Sequence, residues 1–372
     1  MRIALVTRRY PPMVGGAERV LGYLAPALAA LGAEVVVLTS KLDDSPAHVE
    51  DGNLVVRRLA TSRRKFVGTW LYMNYLRREL RRGKFDIIYV SMLKHDAYVA
   101  VGVGERLGIP VVLRPEGAGA TGDLAWQGWG RFGRAIGRRC RRASLVVAIS
   151  KAVAEELRAS GYPRVVELPN GVPVPAEPWR RREGWRAAPR GVFVGRLAPE
   201  KGLIGLVDAW EIVRREHPAA VLTLVGEGPE RATLEERVRL KGLLDAVRLP
   251  GAVADPSAAL RESDLFLLPS KEEGMSIALL EAMALGMPLV ASSIAGNRRL
   301  VADNSHGRLA EPGNPSDLAR VILEQFAGYD RAVHNGRHAR SRVVRDYSIE
   351  AVARRHLDLF RGLVDDPGGP PC

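Results

Sequence analysis

The stretch LFLLPSKEEGMSIALLEAMALGMPLVAS, Leu265 to Ser292, reads as an aliphatic strand at Leu265–Leu268, then a loop carrying Glu273. A helix follows, which Ser276 can cap and which holds Glu281 in its second turn, and then a strand at Pro288–Ala291. Strand, helix and strand in that order are the repeating unit of a parallel sheet with crossover helices. The same alternation extends outward from this stretch in both directions. Further strands are expected at Gly191–Val194, Val221–Val225, Val247–Leu249 and Arg308–Ala310, and in the other half at Arg2–Thr7, Glu34–Thr39, Asp86–Ser91, Val111–Arg114, Leu145–Ile149 and Val165–Leu168. The expected class is therefore α/β, with two Rossmann-like domains. The first spans residues 1–172 and the second 191–347. Residues 173–190, rich in proline and arginine, read as the connection. An amphipathic helix at 348–364 can fold back on the first domain, and the tail 365–372 reads as disordered.

Length agrees with that division, since 372 residues are too many for one ordinary core. With 47% hydrophobic and 26% charged residues the composition is that of a globular protein. No apolar run reaches the roughly 18–20 residues that span a bilayer. The chain opens directly on a strand, without the regions of a secretory signal, so a cytoplasmic location is expected. Cys140 and Cys372 are the only cysteines, which gives neither a disulfide framework nor a metal cluster. Charge is uneven: residues 1–185 hold 30 Lys and Arg against 17 Asp and Glu, whereas the remainder holds 25 of each. That asymmetry points to a charged partner of the first half, although the chain's general preference for Arg over Lys reflects composition alone.

In an open α/β sheet, ligands collect beyond the carboxyl ends of the strands. Three such ends in the second half carry suggestive residues. After Val194, the run Gly195-Arg196-Leu197-Ala198-Pro199-Glu200-Lys201-Gly202 places two cations five residues apart, able to grip a diphosphate, though loop cations are commonly just solvated. After Val225 comes Gly226-Glu227-Gly228-Pro229, best explained as a tight turn. After Leu268, the amides around Gly274, Met275, Ser276 and Ile277 make an anion site at a helix start. There Glu273 and Glu281 can accept hydrogen bonds from sugar and ribose hydroxyls. The plainer reading makes both glutamates surface residues.

The pair Arg196 and Lys201, the spacing Glu273-x7-Glu281, the run Ala282 to Ser292 and Gly307 resemble the family 4 glycosyltransferases. So do three landmarks in the first half: PPMVGGAE at 11–18, VAIS at 147–150 and LPNGV at 168–172. The resemblance implies a GT-B fold of two facing Rossmann-like domains. It also implies a retaining enzyme that moves a hexose-type sugar from a UDP- or GDP-sugar, with no cofactor and no required metal. Carried onto this sequence, it makes Arg196 and Lys201 the diphosphate grip, Glu273 the sugar-hydroxyl partner and Glu281 the ribose anchor. Gly15 and Gly16 form the first domain's loop against the diphosphate. Where family members commonly have a histidine after the fourth strand of the first domain, this chain has Glu116, which can contact a donor hydroxyl, orient the acceptor or simply balance Arg114. His95, near a strand end, can assist proton transfer or be structural. The nearest rival function is a sugar-nucleotide epimerase of the same fold.

The acceptor's identity lies with the basic half. Residues 63–78 and 126–142 mix arginines with Phe66, Trp70, Tyr72, Tyr75, Trp126, Trp129 and Phe132. Such segments can lie on an anionic membrane surface, which suggests a lipid-linked or cell-envelope glycan as acceptor and an address at the inner face of the membrane. Alternatively their aromatics belong to the core and their arginines face water. No nucleic-acid module is recognisable, so nucleic acid is not an expected partner, and a basic nucleic-acid-binding protein is only the distant alternative function.

Overall fold

The computed structural model describes residues 1–366 except 14, 43, 63, 118, 120–121, 181–183 and 303–304, with the backbone alone of residue 65. Val14 of the glycine loop, Arg63 of the basic stretch and the expected tail from 367 onward lie outside the described residues. The chain divides into two compact units. One comprises residues 1–13, 17–171 and 349–372; the other comprises 172–348 together with 14–16.

The first unit is built on eight strands, β1 (Arg2–Val6), β2 (Glu34–Ser40), β3 (His48–Asp51), β4 (Leu54–Leu59), β5 (Ile87–Ser91), β6 (Val111–Arg114), β7 (Leu145–Ala148) and β8 (Val165–Glu167), in the order β3-β4-β2-β1-β5-β6-β7-β8. All neighbours are parallel except β3 and β4. Helices α1 (Gly16–Ala30), α2 (Lys65–Arg82), α3 (His95–Leu107), α4 (Asp123–Trp129), α5 (Gly133–Cys140) and α6 (Lys151–Ala159) make the connections. The inner strands are buried on both faces, which is why they read as unbroken aliphatic runs. The hairpin β3–β4 was not expected. Its first strand, His-Val-Glu-Asp, is wholly exposed and the second only partly buried, so neither carries that signature. A polar outer strand also protects the sheet edge from pairing with another chain.

The second unit holds β9 (Arg190–Val194), β10 (Val221–Val225), β11 (Val247–Gly251), β12 (Leu265–Leu268), β13 (Leu289–Ser292) and β14 (Arg308–Ala310), all parallel, in the order β11-β10-β9-β12-β13-β14. Its helices are α7 (Leu203–Glu216), α8 (Arg231–Leu240), α9 (Ser257–Glu262), α10 (Ile277–Leu285), α11 (Ala295–Leu300), α12 (Pro315–Ala327) and α13 (Tyr329–Arg342). Strand order reverses between β1 and β5 in one sheet and between β9 and β12 in the other, the points where such sheets bind ligands. The expected connection at 173–190 is not a loose strand of chain. Trp179 is buried, its ring N–H donating to Ser263 O at 2.8 Å, and Trp185 packs edge-on against Phe326 and Tyr329. The two tryptophans anchor what the prolines made look like a linker.

From Ser348 the chain enters α14 (Ile349–Asp365), which ends one residue later than expected, so Asp365 is helical rather than the first residue of a tail. Ile349, Ala353, Leu357, Phe360 and Leu363 complete the first unit's core beside Ile3, Leu5 and Val147. His356 is buried there, its ring nitrogen 3.3 Å from Tyr89 Oη, and burial pushes its pKa down to about 4. Among the described residues, no helix is long and apolar enough to cross a membrane.

Candidate active site

Three loops meet where β9, β10 and β12 end, and backbone hydrogen bonds lace them together. Gly195 N donates to Val225 O at 3.0 Å, Leu197 N to Glu227 O at 2.9 Å and Lys271 N to Glu200 O at 2.8 Å. The approach is so close that only glycine fits at Gly226: a Cβ there would lie 1.8 Å from Gly195 O. Gly202 is similarly pressed, at 2.4 Å from Pro269 O. These contacts fix the short 3-10 turn Pro199–Lys201 against the loop after β12.

That lacing brings Lys201 to Glu273. The ammonium donates to Oε1 at 2.5 Å, and Ser270 Oγ donates to the same oxygen at 3.0 Å. Oε2 is therefore the oxygen left for a further donor, and the ammonium keeps N–H groups for a further acceptor. Gly296, in the first turn of α11, backs the arrangement: a Cβ on it would stand 2.5 Å from Glu273 O. Arg196 is exposed at the start of its loop.

Downstream, Ser276 caps α10, accepting from Leu279 N at 3.3 Å. The cap leaves the amides of Ile277 and Ala278, in the first turn, without an intrahelical carbonyl. Met275, Ser276 and Ile277 are buried. Every residue of α10 is buried except Glu281, a carboxylate half-exposed on a helix that is otherwise core. An open cleft of about 200 Å³ at the same edge is lined by Gly202, Glu230, Lys271, Ser292 and Asn314 among others. None of the expected site residues lines it.

Gly15 and Gly16, which are grouped with the second unit, sit at the entrance to α1. The chain's own packing does not require glycine at Gly16, since a Cβ there meets nothing within 4 Å. Glu116 pairs with buried Arg114 at 2.7 Å, accepts from Ser91 Oγ, and its amide donates to Asp123 Oδ2 at 2.8 Å. The structure thus places it in the charge-balancing arrangement.

His95 begins α3, edge-on to Trp126 at 5.5 Å. Burial, and then the charges of Arg8 and Lys94, hold its pKa below the usual histidine value. Beside it stand residues that the sequence reading did not single out. Asp96 is buried under the Tyr72 hydroxyl at 3.5 Å and burial raises its pKa to about 6; the Arg8 guanidinium lies 4.4 Å from the Tyr72 ring centre. The available signal was position, because Lys94-His95-Asp96 follows directly on a strand end.

Two doubly wound α/β units in one chain, the second gathering cations and carboxylates where its strand order reverses, define an α/β protein built to hold an anionic ligand at a strand end. The Glycosyltransferase Family 4 domain matches residues 14–174 and the Glycosyl transferases group 1 domain matches residues 188–327, most of the chain between them. The chain belongs to this glycosyltransferase family. It is 27% identical over 395 aligned residues to a glycogen synthase of Mycobacterium tuberculosis, covering 97% of this chain and 94% of that protein. A GDP-mannose-dependent alpha-(1-6)-phosphatidylinositol monomannoside mannosyltransferase of the same organism is 29% identical over 257 residues, covering 63% of this chain and 67% of the relative. In fold, the chain is similar to HepE of Anabaena, solved in complex with UDP and glucose, with a TM-score of 0.79 at 20% identity over 97% of this chain and 99% of that one.

Proposed function

We propose that the enzyme moves a hexose-type sugar, with retention, from a UDP- or GDP-sugar to a lipid-linked or cell-envelope glycan acceptor. The observation that carries this reading is the Lys201–Glu273 pair, held beside the α10 N-terminus with Glu281 one turn further in. Arg196 and Lys201 neutralise the charge that develops on the leaving diphosphate, the amides of Gly274 to Ile277 add fixed dipoles, and no metal ion or cofactor is required for this task. Glu273 receives a sugar hydroxyl at Oε2, and Glu281 receives the ribose hydroxyls. Gly195 and Gly226 let the strand-end loops pack closely enough to form the grip, and Gly15 and Gly16 leave room for a ligand at the entrance to α1. Support for such a donor comes from the GDP-mannose dependence of one relative and from the UDP and glucose bound to HepE.

Glu273 is not cast as a nucleophile, because its carboxylate is engaged by Lys201 and Ser270. The departing phosphate instead helps to deprotonate the acceptor on the same face of the sugar. Glu116 balances the buried Arg114 charge.

A thermal-shift panel of UDP-, GDP- and ADP-sugars tests the donor assignment. One nucleotide at about a hundredfold over its Kd stabilises by about 3 kcal/mol, a rise of several degrees in Tm. If no member of the panel moves Tm, the donor assignment is wrong.

A further inference from the structure

We propose that the first unit rests on an anionic lipid surface through an aromatic patch that two separate segments build together. The aromatics of the two basic stretches fall into two sets. Tyr72 is fully buried, and Trp126 packs inward beside His95 and Lys94. Four other rings face outward: Phe66 is 66% exposed, Trp70 67%, Trp129 75% and Phe132 66%. Phe66 and Trp70 occupy the opening turns of α2, Trp129 ends α4 and Phe132 precedes α5. Arg131 joins the segments, its guanidinium 4.8 Å from the Phe66 ring centre and 5.2 Å from that of Phe132. Phe132 adopts a φ of 62°, a left-handed conformation unfavourable for a bulky residue, and its ring gains no burial in exchange.

Charge selects the occupant. Arg64, Arg131, Arg134 and Arg138, on the segments that carry these rings, are exposed, and residues 126–142 contain no acid; Arg139, Arg141 and Arg142 are engaged by Tyr98, Ser160 and Glu105. A second copy of the chain seated on this face would set these cations against their own kind. An anionic bilayer complements them, and Trp and Phe partition readily to the interface between headgroups and acyl chains. The surface lies on the first unit alone and does not depend on the donor assignment.

The test is co-sedimentation of the full chain with vesicles of phosphatidylcholine, with and without phosphatidylglycerol. The wild type is expected to pellet with the anionic vesicles, much less with the neutral ones, and progressively less as salt rises. Trp70→Ser combined with Trp129→Ser should lower the partition coefficient about tenfold with thermal unfolding little changed, since both side chains are largely exposed and Trp129 gives up only an edge contact with Trp126. Equal pelleting with both vesicle types, no pelleting with either, or a double variant that pellets like the wild type would overturn the proposal. A dimer seen by sedimentation velocity, lost in the double variant and accompanied by no vesicle binding, would overturn it in favour of a second copy.

Discussion

Lys201→Ala is expected to lower kcat for sugar transfer about a thousandfold, the usual scale for losing one preorganised charge aimed at a developing anion. The structural cost should be slight. Lys201 sits on a 3-10 turn whose position is fixed by backbone bonds and by Gly202 against Pro269, so the loop survives truncation of the side chain. Glu273 loses a partner but keeps Ser270, and a partly exposed ion pair contributes only about 1 kcal/mol or less. Steady-state kinetics combined with thermal unfolding checks both halves. A variant that unfolds with the wild type yet transfers sugar within tenfold of it removes Lys201 from the leaving-group role.

Gly226→Ala has its large effect on stability. The new methyl would lie 1.8 Å from Gly195 O, a backbone atom that can retreat only by shifting the β9 strand end and the loop that carries Arg196 and Lys201. The backbone at Gly226, with φ at 151°, also disfavours a side chain. A cost of about 3 kcal/mol or more is expected, with faster hydrogen exchange across residues 190–230 and loss of nucleotide binding. Gly16→Ala is the contrasting substitution. Its Cβ is in open space, so stability should hold to within about 0.5 kcal/mol, and any loss of activity then reports a contact with ligand. If Gly226→Ala unfolds like the wild type, the close meeting of the two strand ends is not as described.

Much of this fold was legible because parallel strands buried on both faces leave aliphatic runs that need no context to recognise. What lacked that signature was lost, as with the exposed hairpin β3–β4. The packing of the connection at 173–190 was hidden for a related reason. Its prolines and arginines are local signals, whereas the burial of Trp179 against Ser263 is made by a partner 84 residues away. The candidate site divides in the same way. Glu273, Ser276 and Glu281 lie within one strand-loop-helix unit and could be read directly, but the bond from Lys201 to Glu273 spans 72 residues. Composition also could not sort the aromatics of α2, where one face buries Tyr72 and Leu76 and the other exposes Phe66 and Trp70.

The central claim is that the carboxyl edge of the second sheet holds a nucleoside diphosphate, with Glu281 on its ribose. Calorimetric titration of wild type and Glu281→Gln tests it most directly, using the nucleoside diphosphate that stabilises the protein and its 2′,3′-dideoxy analogue. The account predicts that the substitution weakens the ribose nucleotide by about tenfold or more, the scale of hydrogen bonds to a charged acceptor, and leaves the dideoxy analogue unchanged. Equal weakening of both ligands, or of neither, would contradict it.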